Sequence, residues 1–461
     1  MPPTVRAYFR LIDSPGIFGY FARIVNAEHA VAELDLGHLL PTVSMLPFAL
    51  MLLGIAIIPL RWPHFWESNR NKGILSGVLG IPVAIYVAAF DPRVVAHTGL
   101  EYVSFLILLG ALFTISGGIV LRGDLSATPE VNTGFLLVGA LLANLVGTTG
   151  ASMLLIRPLL RTNFPERKNI GHIPIFFIFV VSNCAGLLTP LGDPPLFLGY
   201  LRGVPFFWTM RLGLEWGFVV GSLLAIFYVI DKIAFSREET SSRGKDASEY
   251  RPLQLVGGQN FLYLGGVVLA VLFSPALPEG WIQDGARLGA MLLMTVLSLQ
   301  TTPEDLRKEN GFSFGPIIEV AVLFAGIFAT MMPALEILRS RGGELGVHQP
   351  WQFYWLSGVL SSFLDNAPTY LTFVSLAQGL HETGQASVQL SGGPVSEVLL
   401  AAISCGSVMM GANSYIGNGP NFMVKAIAEE QGVTMPSFFG YMAWSCSILV
   451  PLFVVVTFIF F

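Results

Sequence analysis

The amino-acid sequence predicts an all-α polytopic membrane protein built as two inverted-topology repeats, each with a re-entrant hairpin and a broken transmembrane helix. Three observations support this fold class: an apolar composition, repeated long apolar runs, and the distribution of Lys and Arg between those runs. Hydrophobic residues make up 53% of the 461 residues, and charged residues make up 12%. An average soluble chain has about 25% charged residues. The chain therefore has too few charges to cover a soluble surface of its size.

The apolar runs are about 20 residues long, which is enough to cross a hydrocarbon core about 30 Å thick. Two of them, 135–156 and 353–377, are ambiguous because they could each be a crossing or a hairpin. We see no alternating segments of roughly 10 residues, which would be typical of transmembrane β-strands. The predicted through-spans lie near 40–60, 73–90, 102–121, 171–201, 213–231, 258–275, 286–300, 315–334, 396–423 and 436–461.

Loop charge resolves the first ambiguous stretch. Lys and Arg concentrate in cytoplasmic loops, so the basic loop at 61–72 is placed inside. If 135–156 crossed the membrane, the following segment, 157–168, would be external although it holds four Lys and Arg residues. A hairpin that enters and leaves on the same side keeps this segment cytoplasmic. The balance favours the hairpin.

The second ambiguous stretch, 353–377, then enters from the opposite side. The loop after it, 378–395, contains no Lys or Arg, as expected of an external loop, although Arg339 and Arg341 also fall outside in this scheme. Each half becomes three spans, a hairpin, a long span and a final span. An odd number of crossings per half inverts the second half relative to the first, an architecture common among secondary transporters.

The domain boundaries follow from these repeats. We assign residues 1–39 to an amphipathic lead-in, 40–232 to the first transmembrane repeat, 233–257 to a cytoplasmic linker and 258–461 to the second repeat. The lead-in lacks the apolar core of a cleavable signal peptide, and an interfacial helix and a plain ordered segment remain alternatives there. The net charge of −5 gives no reason to expect a nucleic-acid partner. No Gly-rich lysine motif for nucleotide binding is present, which argues against ATP-driven transport. We expect a multi-pass protein of the inner (plasma) membrane and not an enzyme.

Four segments are too polar and too rich in Gly or Pro for lipid-facing helix. They lie in the middle of each hairpin and inside each long span that follows, at 144–152, 182–195, 361–369 and 411–421. Backbone leaves the helix at membrane depth only where it faces protein or a water-filled cavity. A packing kink would explain any one of them, but broken segments at corresponding places in two halves indicate a transport site.

The polar side chains of these segments are the candidate ion- and substrate-binding residues. At a helix break, backbone carbonyls without an intrahelical hydrogen bond coordinate Na⁺ together with side-chain oxygens. Backbone N–H groups at the N-terminus of the half-helix that follows attract anions. Asp365, Asn366 and Asn183 are the candidate Na⁺ ligands. The full candidate set is Thr148, Thr149, Ser182, Asn183, Thr189, Asp193, Asp365, Asn366, Thr369, Asn413, Ser414 and Asn418.

Acidic residues within the membrane are costly, and by default they mark an ion or proton path. Asp365, beside Asn366 in a hairpin, is the preferred carboxylate for exchanging H⁺ and Na⁺. Asp193 precedes two prolines and could equally be a cap that positions a half-helix. Glu319 lies near a helix end, which favours a solvated or paired structural role. Arg157 is expected to extend to the interface in preference to binding an anionic substrate.

At the four broken segments the sequence resembles the ion transporter superfamily, which includes NhaD-type Na⁺/H⁺ antiporters, and it is most similar to the citrate transporter branch. The resembling stretches are 147–158, 182–195, 364–369 and 417–422. The resemblance implies a homodimer in which a mobile transport domain, holding both hairpins and both broken helices, moves against a static scaffold. The second hairpin tip is similar to the Asp-Asn tips of NhaD-type antiporters, but the first tip lacks the Asp.

The leading functional hypothesis is Na⁺(Li⁺)/H⁺ antiport by alternating access, with Na⁺ as the transported or coupling ion and no further cofactor. The alternative is symport of citrate or a dicarboxylate with cations, in which the helix ends at 182–189 and 413–418 hold the anion. A membrane scaffold or enzyme subunit without transport activity has no cofactor motif to support it. The expected partners are small inorganic cations, protons and the lipid bilayer, with carboxylates added in the alternative.

Overall fold

The computed structural model describes residues 36–123, 125–164, 167–238, 254–278, 280–380 and 386–461, and these are largely helical. Most of the predicted lead-in and linker, residues 1–35 and 239–253, lies outside the described residues. Within them, eight helical stretches are long and apolar enough to cross a membrane: Thr42–Pro59, Asn69–Ala88, Pro92–Ser116, Pro129–Asn163, Trp208–Ser236, Gln259–Ala276, Gly315–Leu345 and Phe438–Phe460.

The same order of elements occurs in both halves: three helices, a helical hairpin, a broken helix and a final helix. Proline is the first or second residue of seven of these helices, where its missing N–H disrupts no helical hydrogen bond. The first half contains α1 (Leu46–Arg61), α2 (Asn69–Ala88), α3 (Pro92–Ser116), α4 (Pro129–Asn163), α5 (His172–Val180), α6 (Pro194–Leu201) and α7 (Gly213–Ser236). The second contains α8 (Gln259–Phe273), α9 (Trp281–Thr301), α10 (Gly315–Arg341), α11 (Pro350–Phe363), α12 (Asn366–Gln378), α13 (Glu397–Met409), α14 (Gly419–Glu430) and α15 (Phe438–Phe460).

Short elements connect these helices. The described residues form two antiparallel pairs of strands: β1 (Val120–Arg122) with β2 (Gln254–Val256), and β3 (Ser387–Leu390) with β4 (Gly393–Ser396). The first pair ties the segment after α3 to the segment before α8 and so joins the two halves. Short α-helical turns are Leu36–Leu39, Pro63–Trp66 and Glu304–Glu309; 3₁₀ turns are Thr42–Met45, Cys184–Leu187, Trp208–Leu212, Ser274–Ala276, Gly342–Leu345 and Met410–Asn413.

Helix α4 is a hairpin and not one straight helix. Gly147 within it has φ 78° and ψ 155°, far from helical values. The side chains of Asn132 and Asn163, 31 residues apart, hydrogen-bond each other in both directions at 2.9 and 2.8 Å. A straight helix would separate them by about 46 Å. The two arms of α4 therefore run antiparallel, with Gly147 at the tip.

The backbone conformation of Gly147 predicts that replacing this residue destabilises the protein. A side chain is strained at this positive φ, and an added Cβ would lie 3.2 Å from the Leu191 carbonyl oxygen. We expect Gly147→Ala to lower the unfolding free energy by about 1–3 kcal/mol, seen as a lower thermal unfolding temperature in detergent. The matched control is Gly134→Ala in the same helix, where a Cβ meets nothing within 4 Å. Equal unfolding temperatures for the two variants would contradict this geometry of the tip.

Helices α11 and α12 form the second hairpin. Leu364 and Asp365, which connect the two helices, have extended backbone conformations. The rings of Phe353 on α11 and Phe373 on α12 have centroids 6.3 Å apart. The arms therefore fold back on each other as those of α4 do. Both ambiguous apolar stretches are thus hairpins in shape.

The helices pack as two groups. The outer group comprises α1–α3 and α8–α10, and the site group comprises α4–α7 and α11–α15. Helix α3 contacts α4 and α6, and α10 contacts α12, so these two outer helices carry much of the packing between the groups. The site group contains both hairpins and both broken helices.

Candidate ion site

The two broken helices are unwound in matching ways. Helix α5 ends before the turn Cys184–Leu187 and resumes as α6, while α13 ends before Met410–Asn413 and resumes as α14. A side chain on Gly192 would collide with the Gly186 carbonyl, and a side chain on Gly417 would collide with the Gly411 carbonyl. In each break, two glycines six residues apart therefore bring their backbones too close together for a side chain. This close approach explains why the broken segments are rich in Gly.

The Asp193 carboxylate lies where all four predicted broken segments meet, and it is 1% exposed. Its Oδ1 accepts hydrogen bonds from Thr148 Oγ1 at 2.9 Å and from Asn418 Nδ2 at 3.3 Å. Its Oδ2 accepts one from Asn366 Nδ2. Thr148 and Asn366 come from the tips of the first and second hairpins, and Asn418 from the second break. All three partners are neutral.

Asp193 and Asn418 occupy corresponding positions. Each is the residue directly before a half-helix, with φ/ψ of −145°/145° for Asp193 and −155°/141° for Asn418, and neither side chain caps its own helix. The two halves thus place one carboxylate and one amide at equivalent positions. Both side chains are directed toward the centre, which decides against Asp193 acting as a cap.

A second layer of amides holds Asn418. Its Nδ2 lies 3.2 Å from both the Ser182 carbonyl and Asn183 Oδ1. Asn183 in turn donates to Asn421 Oδ1 at 2.7 Å, and the hydroxyls of Ser152 and Ser182 are 2.8 Å apart. Asn421 and Ser152 were not among the predicted site residues, although both lie within the predicted broken segments.

Three predicted residues hold the hairpins and do not bond Asp193. Thr189 Oγ1 donates to the Asn144 carbonyl, and Ser414 Oγ donates to the Ser362 carbonyl. Asn413 Nδ2 donates to Ser362 Oγ at 2.9 Å. Asn144 and Ser362, which sequence reasoning missed, each lie three residues before a hairpin tip, and this shared spacing is the signal that could have found them.

Asp365, the carboxylate favoured by the sequence, has a different environment. Its Oδ1 accepts a hydrogen bond from the Ala367 backbone N–H at 3.0 Å, so it caps α12. Thr369 Oγ1 donates back to the Asp365 carbonyl at 3.0 Å, within the helix and not toward Asp193. Thr149 neighbours Thr148 and is partly exposed.

Among the described residues, two candidate site residues have a buried amide oxygen without a donor, Asn366 and Asn413, and of these only Asn366 hydrogen-bonds Asp193. Asn366 is fully buried, and its Oδ1 has no hydrogen-bond partner among the described residues. A cavity of about 20 Å³ lined by Thr148, Thr149 and Asp193 separates the centre from α3. That volume holds about one water-sized species. An unpaired buried oxygen is costly, and a cation or a proton donor would satisfy it.

Charged pairs lie away from this centre. Lys72 Nζ is 2.7 Å from Glu319, so the predicted paired role of Glu319 is confirmed. Arg157 Nη2 is 3.0 Å from Glu430 on α14. Sequence reasoning gave no partner for either residue. The Asp193 centre is therefore surrounded by neutral donors, and its own carboxylate is its principal charge.

Unwound helices that meet at a buried carboxylate, within a multi-pass helical bundle, are typical of a membrane transporter. Residues 37–461 match the family model described as "Putative citrate transport", and the chain belongs to that family. No curated protein matches the chain. The predicted resemblance to the citrate transporter branch of the ion transporter superfamily is confirmed.

Proposed function

We propose that this transporter exchanges Na⁺ or Li⁺ for H⁺, and that Asp193 carries the ion. The observation that carries the proposal is the position of this buried carboxylate, which accepts hydrogen bonds from both hairpin tips and from the second break. We assign the exchange to Asp193 in preference to Asp365 because Asp365 is engaged as a helix cap.

The chemistry of a buried carboxylate supports exchange. An isolated ionised group in a low-dielectric interior is strongly disfavoured unless it gains a proton or a counter-ion. A proton and a sodium ion neutralise the same charge, so they compete for Asp193 and each displaces the other. The free Asn366 Oδ1 provides a second oxygen for the metal ion.

The same geometry weighs against a carboxylate substrate at this centre. The amides of Asn366 and Asn418, which would have to hold a substrate anion, already donate to Asp193. A substrate carboxylate would also be repelled by the resident one. The cavity of about 20 Å³ beside Asp193 is far smaller than the 300 Å³ or more typical of organic ligand sites.

Citrate or dicarboxylate symport remains the second candidate because the family description names citrate transport. In this mode Asp193 carries the coupling cation, and the breaks at 182–189 and 413–418 hold the anion after they move apart. The two modes share the coupling residue and differ in whether an organic anion travels with the cation.

The membrane arrangement is part of the proposal. The repeated element order and the equivalent positions of Asp193 and Asn418 support two inverted halves, with the hairpins re-entering from opposite sides. We further propose alternating access, in which the site group moves against the outer group. The homodimer remains a prediction from the resemblance, and the plasma-membrane location remains a prediction from the sequence.

Transport by proteoliposomes with an internal pH dye tests the function. We expect added Na⁺ or Li⁺ to collapse an imposed pH gradient, while K⁺ and choline leave it unchanged. Labelled citrate should not accumulate under the same cation gradient. If Na⁺ leaves the pH gradient intact while citrate accumulates, the antiport proposal is wrong and the symport candidate replaces it.

A further inference from the structure

Glu101 and Arg202 form a buried ion pair that joins the outer group to the site group. Glu101 lies on α3, and Arg202 directly follows α6. Arg202 Nε and Nη2 donate to the two carboxylate oxygens of Glu101 at 2.9 and 3.0 Å. The Glu101 and Arg202 side chains are 5% and 8% exposed. A guanidinium and a carboxylate joined by two parallel hydrogen bonds form a strong and directional contact, so this pair fixes the end of α6 against α3.

Helix α6 places this pair and the ion site at its two ends. Asp193 directly precedes the helix and Arg202 directly follows it, and a helix of this length rises about 12 Å. A Cβ on Gly199 would collide with Tyr370 Oη, so α6 packs closely against α12 of the second hairpin. The Asn366 amide at the start of α12 donates to Asp193. A displacement of α6 and α12 along α3 therefore moves Asp193 and Arg202 together.

Two cavities lie along one face of α3, and Glu101 stands between them. The ion-side cavity is the one of about 20 Å³ beside Asp193, and α3 lines it from Phe105 onward. The external cavity has a volume of about 310 Å³, and α3 lines it as far as Glu101. The lining residues of α3 follow the i, i+3, i+4 spacing of a single helix face. They include Val94, His97, Thr98, Glu101, Phe105, Leu108, Leu109 and Leu112.

The external cavity lies at the face that loop charge predicts to be outside. Besides α3, the last turns of α10, Arg202 and the turn between β3 and β4 line it, whereas none of the residues that bond Asp193 do. The ion-side cavity is lined by Asp193 and by Phe197 of α6, but by neither member of the ion pair. The seam between α3 and α6 thus runs from the external cavity to the ion site, and the Glu101–Arg202 pair lies across it.

We propose that the Glu101–Arg202 pair is an external gate, closed in this conformation, which separates when the site group moves and Asp193 opens to the outside. The inference rests on the proposed alternating access and is independent of which ion Asp193 carries. A buried charge that loses its partner without gaining water is strongly disfavoured. Here the external cavity already borders both side chains and is large enough for several waters, so the separated charges become hydrated.

The accessibility of an introduced thiol from the two sides of the membrane tests the gate. Leu108 lines the ion-side cavity and is 4% exposed, so Leu108→Cys reports on passage beyond the pair. The exposed Cys446 is removed as Cys446→Ser in every variant, whereas Cys184 and Cys405 are buried. A membrane-impermeant methanethiosulfonate is applied to intact cells, which present the external face, and to inverted vesicles, which present the cytoplasmic face. The same background without Leu108→Cys is the blank.

Glu101→Gln breaks the pair, and we expect it to raise the external labelling rate about tenfold through a larger open population, without raising the cytoplasmic rate. Glu101→Asp keeps both charges but shortens the carboxylate by one methylene, so a smaller rise is expected in a variant that retains the buried charge balance. The combined reversal Glu101→Arg with Arg202→Glu should restore slow labelling. Glu336→Gln is the matched control: Glu336 lines the same cavity but pairs with Arg339 within α10, so its variant should label like the parent.

The outcomes separate a gate from a structural contact and from the ion chemistry. Unchanged external labelling in both Glu101→Gln and Glu101→Asp would overturn the gate. An equal rise from both sides would also overturn it, because that result indicates general loosening of the packing. Labelling does not depend on the transported ion, so a one-sided rise in a protein that fails to exchange Na⁺ for H⁺ would support the gate and reject the antiport proposal.

Discussion

Asp193→Asn is expected to abolish cation–proton exchange while leaving the protein folded. Asn has the same shape as Asp, and its amide oxygen can still accept from Thr148 and Asn418. Its amide nitrogen would then face Asn366, whose amide can turn to present the unpartnered Oδ1. Asn carries no charge, however, to bind a proton or Na⁺. Without that charge a proton and Na⁺ no longer compete for one site, so we expect exchange to fall at least about a hundredfold, which is equivalent to about 2.8 kcal/mol. The measurement is the initial rate of Na⁺-driven collapse of a pH gradient in proteoliposomes, with thermal unfolding as the check on folding.

Asp365→Asn is the matched control for this prediction. Asp365 caps α12 through the Ala367 N–H, and Asn caps helices about as well as Asp. Its variant should therefore retain most of the exchange activity and the wild-type unfolding temperature. The reverse pattern, full activity in Asp193→Asn and none in Asp365→Asn, would return the ion-carrying role to Asp365.

Asp231→Ala is expected to be the most destabilising single change outside the ion site. Asp231 on α7 is fully buried, and its Oδ1 accepts from Arg167 and lies 3.0 Å from His172 Nε2. Its Oδ2 accepts from Asn132 at 2.9 Å. Asn132 in turn bonds Asn163, so one carboxylate ties both arms of the first hairpin to α7. Its removal leaves Arg167, 3% exposed, as an unpaired buried cation at a cost of about 3–5 kcal/mol.

Thermal unfolding and detergent-resistant yield of the purified protein measure this effect. Glu304→Ala is the control, because Glu304 and Lys308 form an exposed pair 2.9 Å apart within one helical turn. Such surface pairs contribute little to stability, so this variant should unfold like the wild type. An Asp231→Ala protein as stable as Glu304→Ala would show that the buried cluster does not hold the hairpin to α7.

Much of the architecture could be predicted from the sequence because membrane insertion imposes strong constraints. Every backbone polar group at membrane depth needs a partner, so clusters of Gly, Pro, Asn and Ser within apolar runs mark breaks. The predicted long spans, 171–201 and 396–423, enclose the breaks between α5 and α6 and between α13 and α14. The fold-back of α4 was predictable from the basic segment that follows it, although the exact tip at Gly147 depends on a backbone angle.

The roles of individual residues were harder to predict because they depend on tertiary contacts. Asp193 and Asp365 each directly precede a helix, and either could cap it. Only the packed structure shows that Asp365 bonds its own helix while Asp193 bonds the hairpin tips. Likewise, the paired role of Glu319 could be predicted from its place near a helix end, but its partner Lys72 lies in the other half of the chain.

In the proposed mechanism, Asp193 binds the proton and the sodium ion in competition. Proton release on addition of NaCl to the purified, weakly buffered protein tests it most directly, over a range of starting pH values and with choline chloride as the blank. We expect proton release from the wild type and from Asp365→Asn, and no release from Asp193→Asn. Undiminished release from Asp193→Asn would contradict it.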